Sequence, residues 1–308
     1  MAPALLTALI PIALLIGLGA WLRHRALLAP GFWPQAERLG YYVLLPSLFF
    51  HGLATARLEG VPVWSMVVAL VFSTTVVAAM LVCARRRITE ELPTFTSVFQ
   101  GGIRFNNYVG VSAAAGLWGA QGVALAAVAN AAIVPTVNVL CVLVFARYGS
   151  AGRAPVGAVL RQMVRNPLIL ACVGAVPFQA FGWALPLGLE PMLKALGQAS
   201  LPLGLLCVGA ALELRQVRQW LRPVGCASLT KFVVMPLVTV VACHLVGLTG
   251  DAAVAVLLFQ ALPTASSSYI MARQLGGDAP LMAGIIACQT LIAGIALPGA
   301  LLLLSPWL

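Results

Sequence analysis

The chain has 308 residues, of which 61% are hydrophobic and only 8% are charged. Soluble domains carry about a quarter charged residues, so this composition excludes a soluble domain and is typical of a membrane protein. The formal net charge of +10 does not indicate a nucleic-acid partner, because most of the basic residues fall in short loops between long apolar segments.

Ten apolar segments are long enough to cross a bilayer, which takes about 20 residues per helix. In chain order the predicted spans are 4–22, 36–54, 62–83, 95–117, 121–146, 167–184, 191–212, 224–246, 252–272 and 281–304. The first has no basic leader, and Arg23 and Arg25 follow it, so we expect a retained helix and not a cleaved signal peptide. The sequence therefore predicts an all-α membrane protein with ten transmembrane helices, embedded in lipid.

The distribution of Lys and Arg predicts the orientation of the chain. Most of these 18 residues lie beside or within the loops that follow the first, third, fifth, seventh and ninth spans. Loops rich in positive charge stay in the cytoplasm. We therefore expect a multi-pass protein of the cell (inner) membrane, with both termini on the non-cytoplasmic side.

The two halves of the chain contain related sequences. The run from Phe99-Gln100 to Tyr108 is matched about 160 residues later by Phe259-Gln260 to Tyr269, and Pro135 is matched by Pro298. Because each half contains five spans, an odd number, the second half must enter the membrane inverted relative to the first. The predicted domains are two inverted five-helix repeats, 1–147 and 167–308, joined by a cytoplasmic linker at 148–166.

Several short motifs, in this order and spacing, resemble the auxin efflux carrier family. They are Asn166-Pro167, Leu201-Pro202-Leu203, Lys231…Pro236, Leu262-Pro263…Tyr269 and Gly276-Gly277-Asp278. The resemblance implies a ten-span fold shared with bile-acid symporters, in which helices four and nine are broken and cross near the membrane centre. It also implies scaffold helices 1, 2, 6 and 7, through which we expect any homodimer to form, and transport helices 3–5 and 8–10. The implied substrates are organic anions, such as auxin or dicarboxylates.

The polar centres of spans four and nine predict the substrate site. Pro263 removes a backbone donor and breaks the ninth helix, and Gly101-Gly102 loosens the fourth. In hydrocarbon, broken helices persist only where they line a protein cavity. Paired interruptions in the two halves of a chain therefore indicate a transporter's binding site.

Arg104 is the strongest single candidate for a substrate contact. A charge within a span is costly and usually faces a cavity and a partner. Since spans four and nine contain no Asp or Glu, an anionic substrate could supply the counter-charge. The alternative is that Arg104 lies nearer an interface and reaches water or headgroups.

Neutral hydrogen-bonding residues complete the predicted site. The substrate-binding set is Arg104, Asn106, Asn107, Tyr108, Pro263, Thr264, Ser266, Ser267, Ser268 and Tyr269. Helix starts within the two broken spans would also present free N–H groups to an anion. The alternatives are that the Asn and Ser residues only join helices through hydrogen bonds, and that the two tyrosines only pack.

A second group of residues is predicted to act in coupling or gating. It consists of Gln100, Gln260, Lys231, His51 and Pro135. Lys231 is either a fixed charge standing where related symporters hold a cation, or a side chain that reaches the cytoplasmic surface. His51 can carry a proton near neutral pH or can be an ordinary histidine near the outer interface. The alternative for Pro135 is that it only kinks its helix.

Enzymatic motifs are absent from the sequence. It contains no HExxH, GxSxG or Walker A motif, and its seven cysteines form no CxxC pair, so we expect no enzyme, cofactor or metal site.

The sequence predicts a secondary transporter of a small organic anion, a mono- or dicarboxylate, working by alternating access as a uniporter or efflux carrier or with proton coupling. The alternatives are a channel-like anion pore and a sodium-coupled symporter, although no acid lies between Asp251 and Asp278 to help bind sodium.

Overall fold

The computed structural model describes residues 2–56, 61–150, 166–212 and 220–308. In this part of the chain the secondary structure is helical, and no strand occurs. The α-helices are α1 (Ala2–His24), α2 (Phe32–Leu39), α3 (Leu45–Ala54), α4 (Val63–Ile88), α5 (Leu92–Ile103), α6 (Asn107–Tyr148), α7 (Pro167–Phe181), α8 (Leu189–Ala210), α9 (Leu221–Leu229), α10 (Met235–Leu245), α11 (Gly250–Gln260), α12 (Ser267–Leu275) and α13 (Ala279–Leu304). The predicted all-α class is confirmed.

Six helical stretches of the described residues are long and apolar enough to cross a membrane. They are Thr7–His24, Val63–Ile88, Leu92–Tyr148, Leu189–Ala210, Leu221–Leu245 and Ala279–Trp307. The stretch Leu92–Tyr148 is 57 residues long because it contains α5 and α6 together. Within α6 the backbone departs from helical geometry at Gly119, with φ 57° and ψ −132°, where the sequence predicts the loop between the fourth and fifth spans. Each of the ten predicted spans overlaps helix.

Two of the long helices contain a π-helical turn directly before a proline. Gly40–Leu44 joins α2 to α3 ahead of Pro46, and Thr230–Val234 joins α9 to α10 ahead of Pro236. Proline has no N–H for the carbonyl four residues earlier, so the helix widens locally. The wider pairing is visible where the N–H of Met235 donates to the carbonyl of Thr230, five residues back.

The described helices form two compact units. The first contains the helices within Met1–Val61, Tyr108–Ala131 and Gln162–Ala211. In this unit α1 packs on α8 at very short range, because Gly19 lies against the backbone of Leu206 and Gly209 against the backbone of Ile16. Small residues allow this close approach of helices in a membrane protein.

The second unit contains the helices within Pro62–Asn107, Ala132–Arg161 and Leu212–Leu308. Its most buried elements are two short helices, α5 and α11. Every residue from Thr94 to Ile103 in α5 and from Ala252 to Gln260 in α11 is buried. The helix ends that follow, at Ile103 and Gln260, therefore lie in the interior of this unit.

Asp278 fixes the start of α13 against α5 within the second unit. One carboxylate oxygen accepts the N–H of Leu281 at 3.0 Å and so caps α13, while the other accepts the Thr94 hydroxyl at 3.3 Å. The Ser97 hydroxyl donates to the carbonyl of Asp278 at 2.8 Å. The Gly276-Gly277-Asp278 motif noted in the sequence thus has a structural role as a helix cap.

The predicted linker at 148–166 lies largely outside the described residues. At its end, the side chain of Asn166 accepts the N–H of Leu168 at 2.9 Å and caps α7, which begins at Pro167. This is the asparagine cap with proline at the first helical position. The two compact units each draw helices from both halves of the sequence.

Candidate anion-binding site

Both helices that the sequence predicts to be broken are interrupted in the structure. The helix α5 ends at Ile103 and α6 begins at Asn107, so residues 104–106 are not helical. The helix α11 ends at Gln260 and α12 begins at Ser267, which leaves residues 261–266 outside helix. The second interruption contains Pro263, as expected for a residue without a backbone donor.

The first interruption does not lie at the glycines. We expected Gly101-Gly102 to loosen the fourth helix, but both residues belong to α5, and the chain becomes extended only at Arg104, with φ −76° and ψ 160°. The glycines serve close packing instead. A Cβ on Gly101 would lie 3.0 Å from Ala227 and 2.7 Å from Ile285, which leaves no room for a larger residue. The expectation was wrong because glycine suits tight packing as well as a bend.

A small hydrogen-bond network joins the last turn of α5 to the second interruption. The Thr264 hydroxyl and the Gln289 amide nitrogen both donate to the carbonyl of Gly101, each at 2.9 Å. The Gln289 amide oxygen accepts the N–H of Thr264 at 3.0 Å. All three residues are buried, so these bonds satisfy backbone groups that the interrupted helices leave free.

We expect Gln289→Leu to destabilise the protein, because it leaves the Thr264 N–H without its partner in a buried site and removes one donor to the Gly101 carbonyl. Each unpaired buried group costs about 1–3 kcal/mol. Thermal unfolding in detergent would measure the loss. The matched control is Thr290→Val, since the neighbouring Thr290 hydroxyl donates only to Ile286 in its own helix. Equal unfolding temperatures for the two variants would contradict the network.

Arg104 lies at the meeting point of these segments, and its hydrogen bonds go to neutral groups. The guanidinium Nη1 donates to the Asn138 side-chain oxygen at 3.0 Å and to the Met271 sulfur at 3.5 Å. Its Nη2 donates to the Ser267 hydroxyl at 3.2 Å. In the described part of the chain, no carboxylate lies within 4 Å of Arg104. Among the described residues, the guanidinium therefore has no carboxylate as a counter-ion.

The Nε–H of Arg104 remains available as a donor. This atom is buried and has no hydrogen-bond partner among the described residues. Nε and Nη2 form the edge of a guanidinium that matches the two oxygens of a carboxylate. The Ser267 hydroxyl on Nη2 is a neutral group that can be shared with or replaced by a ligand oxygen.

Other polar atoms near the interruptions also lack hydrogen-bond partners within the described structure. They are the side-chain oxygens of Gln100, Asn107 and Ser268. The Gln100 amide nitrogen makes a long contact of 3.5 Å with the Ser268 carbonyl, which joins α5 to α12. The predicted residues Asn106 and Pro263 are buried, and Ser266 is half-buried.

The two predicted tyrosines occupy different environments. Tyr108 belongs to the first unit and is buried there, with its ring packed against Gly204 and its hydroxyl facing Gly40, 2.5 Å from where a Cβ would stand. Tyr269 is 36% exposed, and the Arg273 guanidinium lies over its ring at 6.0 Å. Tyr108 therefore packs within its unit in the described structure.

Gln260 anchors the end of α11 to α4. Its amide nitrogen lies 2.8 Å from the hydroxyls of Ser73 and Thr74 and 3.1 Å from the Leu70 carbonyl. These protein partners use the donors of this side chain, so Gln260 has a clear structural role in the second unit.

The remaining predicted coupling and gating residues lie in three places. Lys231 is completely buried in the π-helical turn Thr230–Val234, so the interpretation in which it reaches the cytoplasmic surface is wrong. His51 belongs to the first unit, where its Nε2 lies 3.9 Å from a carboxylate oxygen of Glu190. Pro135 lies inside α6, which continues past it.

A family model described as "Membrane transport protein" matches residues 4–301. The chain belongs to this family. It is the auxin efflux carrier family that the motifs resemble, so the predicted family is confirmed. The family and the long apolar helices together establish a multi-pass membrane transport protein and not an enzyme.

Two curated relatives from this family are similar over most of their length. A protein of Rhizobium meliloti (strain 1021) named "Putative malonate transporter" is 26% identical over 280 residues, which cover 85% of this chain and 84% of the relative. An "Uncharacterized transporter" of Methanothermobacter thermautotrophicus (strain Delta H) is 23% identical over 265 residues, covering 85% of this chain and 86% of the relative. Both carry transporter names, in agreement with the family.

The sequence analysis did not identify three residues that shape the candidate anion-binding site. Asn138 and Met271 contact Arg104, and Gln289 bridges the last turn of α5 and the second interruption. Asn138 and Gln289 could have been found, because an amide in an otherwise apolar span is costly unless it has a partner. Met271 carries no comparable signal.

Proposed function

We propose that this protein is a secondary carrier that moves a small organic anion, a mono- or dicarboxylate, across the cell (inner) membrane by alternating access. The observation that carries the proposal is Arg104. It lies where two interrupted helices meet, and all of its hydrogen bonds go to neutral groups.

The charge of Arg104 favours an anion over a neutral ligand. An ionisable residue within a membrane-spanning segment faces a partner or a cavity, because the uncompensated charge is costly in hydrocarbon. With no carboxylate within 4 Å in the described residues, the substrate itself is the natural counter-ion. A carboxylate also matches the geometry of the guanidinium edge that carries Nε.

Two helix starts support binding of an acid in the same region. The helices α6 and α12 begin at Asn107 and Ser267, directly after the interruptions. The first N–H groups of a helix and its positive dipole end favour a negatively charged group. The Asn107 amide and the hydroxyls of Ser267 and Ser268 add neutral groups without the insertion cost of another charge.

The same proposal includes the architecture predicted from the sequence. Ten crossings would form two inverted repeats, with α5 and the start of α6 as broken helix four, and α11 and α12 as broken helix nine. Helices 1, 2, 6 and 7 would act as the scaffold, through which a homodimer would form, and helices 3–5 and 8–10 as the moving transport domain. In its support, Arg104 and all of its hydrogen-bond partners belong to the second unit. Both termini would lie on the non-cytoplasmic side.

The name of the Rhizobium relative supports a dicarboxylate as substrate. Malonate is a small dianion, and one carboxylate could bind Arg104 while the other is held by neutral donors. An inside-negative potential favours anion export by about 2.3 kcal/mol per charge per 100 mV, so efflux requires no bound cation.

The proposal is tested with the purified full-length protein in two steps. Thermal unfolding is measured with a panel of acids (malonate, malate, succinate, acetate and pyruvate), because a ligand that binds only the folded state raises the unfolding temperature. The acids that stabilise are then tested in proteoliposomes. We expect saturable uptake that is accelerated by unlabelled substrate on the other side. Non-saturable flux without acceleration would indicate a pore, and no flux of any acid would overturn the proposal.

A further inference from the structure

Lys231 is a buried amine without a partner in the second unit. It lies in the π-helical turn Thr230–Val234, within the helical stretch Leu221–Leu245, and its exposed fraction is 0%. Its Nζ has no hydrogen-bond partner and no carboxylate within 4 Å among the described residues. Single π turns within α-helices often occur at functional sites.

The π-helical turn packs against α5 and α13, beside the first interruption. Ala227, one helical turn before Lys231, lies against Gly101. The methyl group of Thr230, the residue directly before Lys231, lies against Gly102. Arg104 follows two residues after Gly102. Lys231 therefore belongs to the part of the second unit that adjoins the candidate anion site.

No acidic group on these elements can neutralise an ammonium at this position. The helix α5 has no titratable side chain, and α13 has only the thiol of Cys288. The flanking helices α9 and α10 carry Arg222, Cys226, Cys243 and His244, and their neighbour α4 carries Cys83 and Arg85, Arg86 and Arg87 in its last turns. Along the sequence, the first charged residue after α5 is Arg104, which is also positive.

We propose that Lys231 is the proton-carrying group of the transport cycle, and this inference rests on the proposed carrier function. An ammonium is costly in this unpartnered interior, whereas a neutral amine is not. When an anion binds at Arg104, its negative charge favours a proton on the Lys231 nitrogen. When the anion leaves, repulsion from the Arg104 charge and the burial of the amine favour release of that proton.

The proton is taken from water by the amine lone pair on one side and returned to water on the other, so no covalent step is involved. Anion and proton therefore cross in the same direction. The proposal thus gives this carrier a proton-coupled mode that requires no carboxylate within its spans.

The test uses proteoliposomes that contain the full-length protein and a trapped pH dye, with the membrane potential clamped at zero. Malonate is the probe. The pH is kept above the second pKa of malonate, so that malonate is present as the dianion and carries no proton of its own. We expect malonate uptake by the wild type to acidify the lumen. Lys231→Met and Lys231→Arg should retain malonate exchange but reduce the ratio of protons to malonate at least tenfold. Lys194→Met is the matched control, because Lys194 is the only other lysine in the sequence and is exposed in α8.

The outcomes separate this inference from the proposed function. Net malonate uptake by the wild type without acidification of the lumen, or an unchanged ratio of protons to malonate in the Lys231 variants, overturns the role of Lys231 and leaves the carrier function standing. Absence of exchange for malonate and for every other acid in the panel overturns the carrier function itself. The wild-type measurement needs no variant, so the inference stays testable even if the Lys231 variants fail to fold.

Discussion

Arg104→Gln should weaken anion binding by about 10- to 150-fold, while the protein still folds. Hydrogen bonds to a charged group contribute about 1.5–3 kcal/mol, and glutamine lacks both the charge and the fork of the guanidinium. The dissociation constant for malonate, or for the acid that stabilises the protein best, is measured by thermal shift and by the half-saturation of uptake.

Folding should survive this substitution because the partners of Arg104 are neutral. Asn138 and Ser267 would lose one hydrogen bond each, while an unbalanced charge would be removed from a membrane-spanning segment. Arg104→Lys should bind with intermediate affinity, since it keeps the charge and loses the bidentate geometry.

Arg273→Gln is the matched control for this prediction. Arg273 lies in α12, one of the helices that Arg104 contacts, but its side chain is exposed and lies over the ring of Tyr269. We expect the affinity of the Arg273→Gln variant for the anion to stay within about twofold of the wild type, since an exposed charge interacts only weakly with other charged groups. Equal affinities of Arg104→Gln and wild type would remove Arg104 from the binding site.

The positions of the two interruptions could be predicted from sequence because their causes are local. Pro263 cannot donate a backbone hydrogen bond, and polar residues cluster around it in a segment that is otherwise apolar. The same reasoning placed Arg104 and Ser267 in one candidate site, and their side chains are in contact at 3.2 Å. A sequence repeat between the two halves of a chain indicates a pair of interruptions even when the packing of the helices is unknown.

Contacts between distant segments were not predictable from these local signals. Asn138 lies 34 residues after Arg104, and which face of α6 is turned toward Arg104 depends on the packing of the whole unit. Gly101 and Gly102 gave the wrong expectation for the same reason, since their neighbours Ala227, Ile285, Leu81 and Thr230 lie elsewhere in the chain. The burial of Lys231 likewise depends on α5 and α13, and the sequence alone left two interpretations open.

Gly204→Ala should strongly destabilise the first unit. A Cβ at Gly204 would overlap three atoms of the Tyr108 ring, which is buried and has little freedom to move away. Overpacking of a well-packed interior costs about 1–3 kcal/mol. We expect a lower unfolding temperature in detergent and a matching loss of transport activity, because Tyr108 is the second residue of α6 and directly follows the first interruption and Asn107.

The control for this substitution is Gly294→Ala in α13. A Cβ at Gly294 would meet no atom within 4 Å, so the unfolding temperature should stay the same or rise slightly. A normal unfolding temperature for Gly204→Ala would show that Tyr108 does not occupy the position described.

A double-mutant cycle identifies Tyr108 as the cause of the destabilisation. Tyr108→Ala alone should cost about 3–5 kcal/mol, as is typical for deleting a buried aromatic ring. In the double variant, the alanine at position 204 no longer meets a ring, so its own cost should disappear, and the two effects should be non-additive by most of the Gly204→Ala penalty. Additive effects would mean that the alanine clashes with something other than Tyr108. Since the sequence predicts that Tyr108 belongs to the substrate-binding set, the cycle also separates a packing role in the first unit from direct contact with the anion.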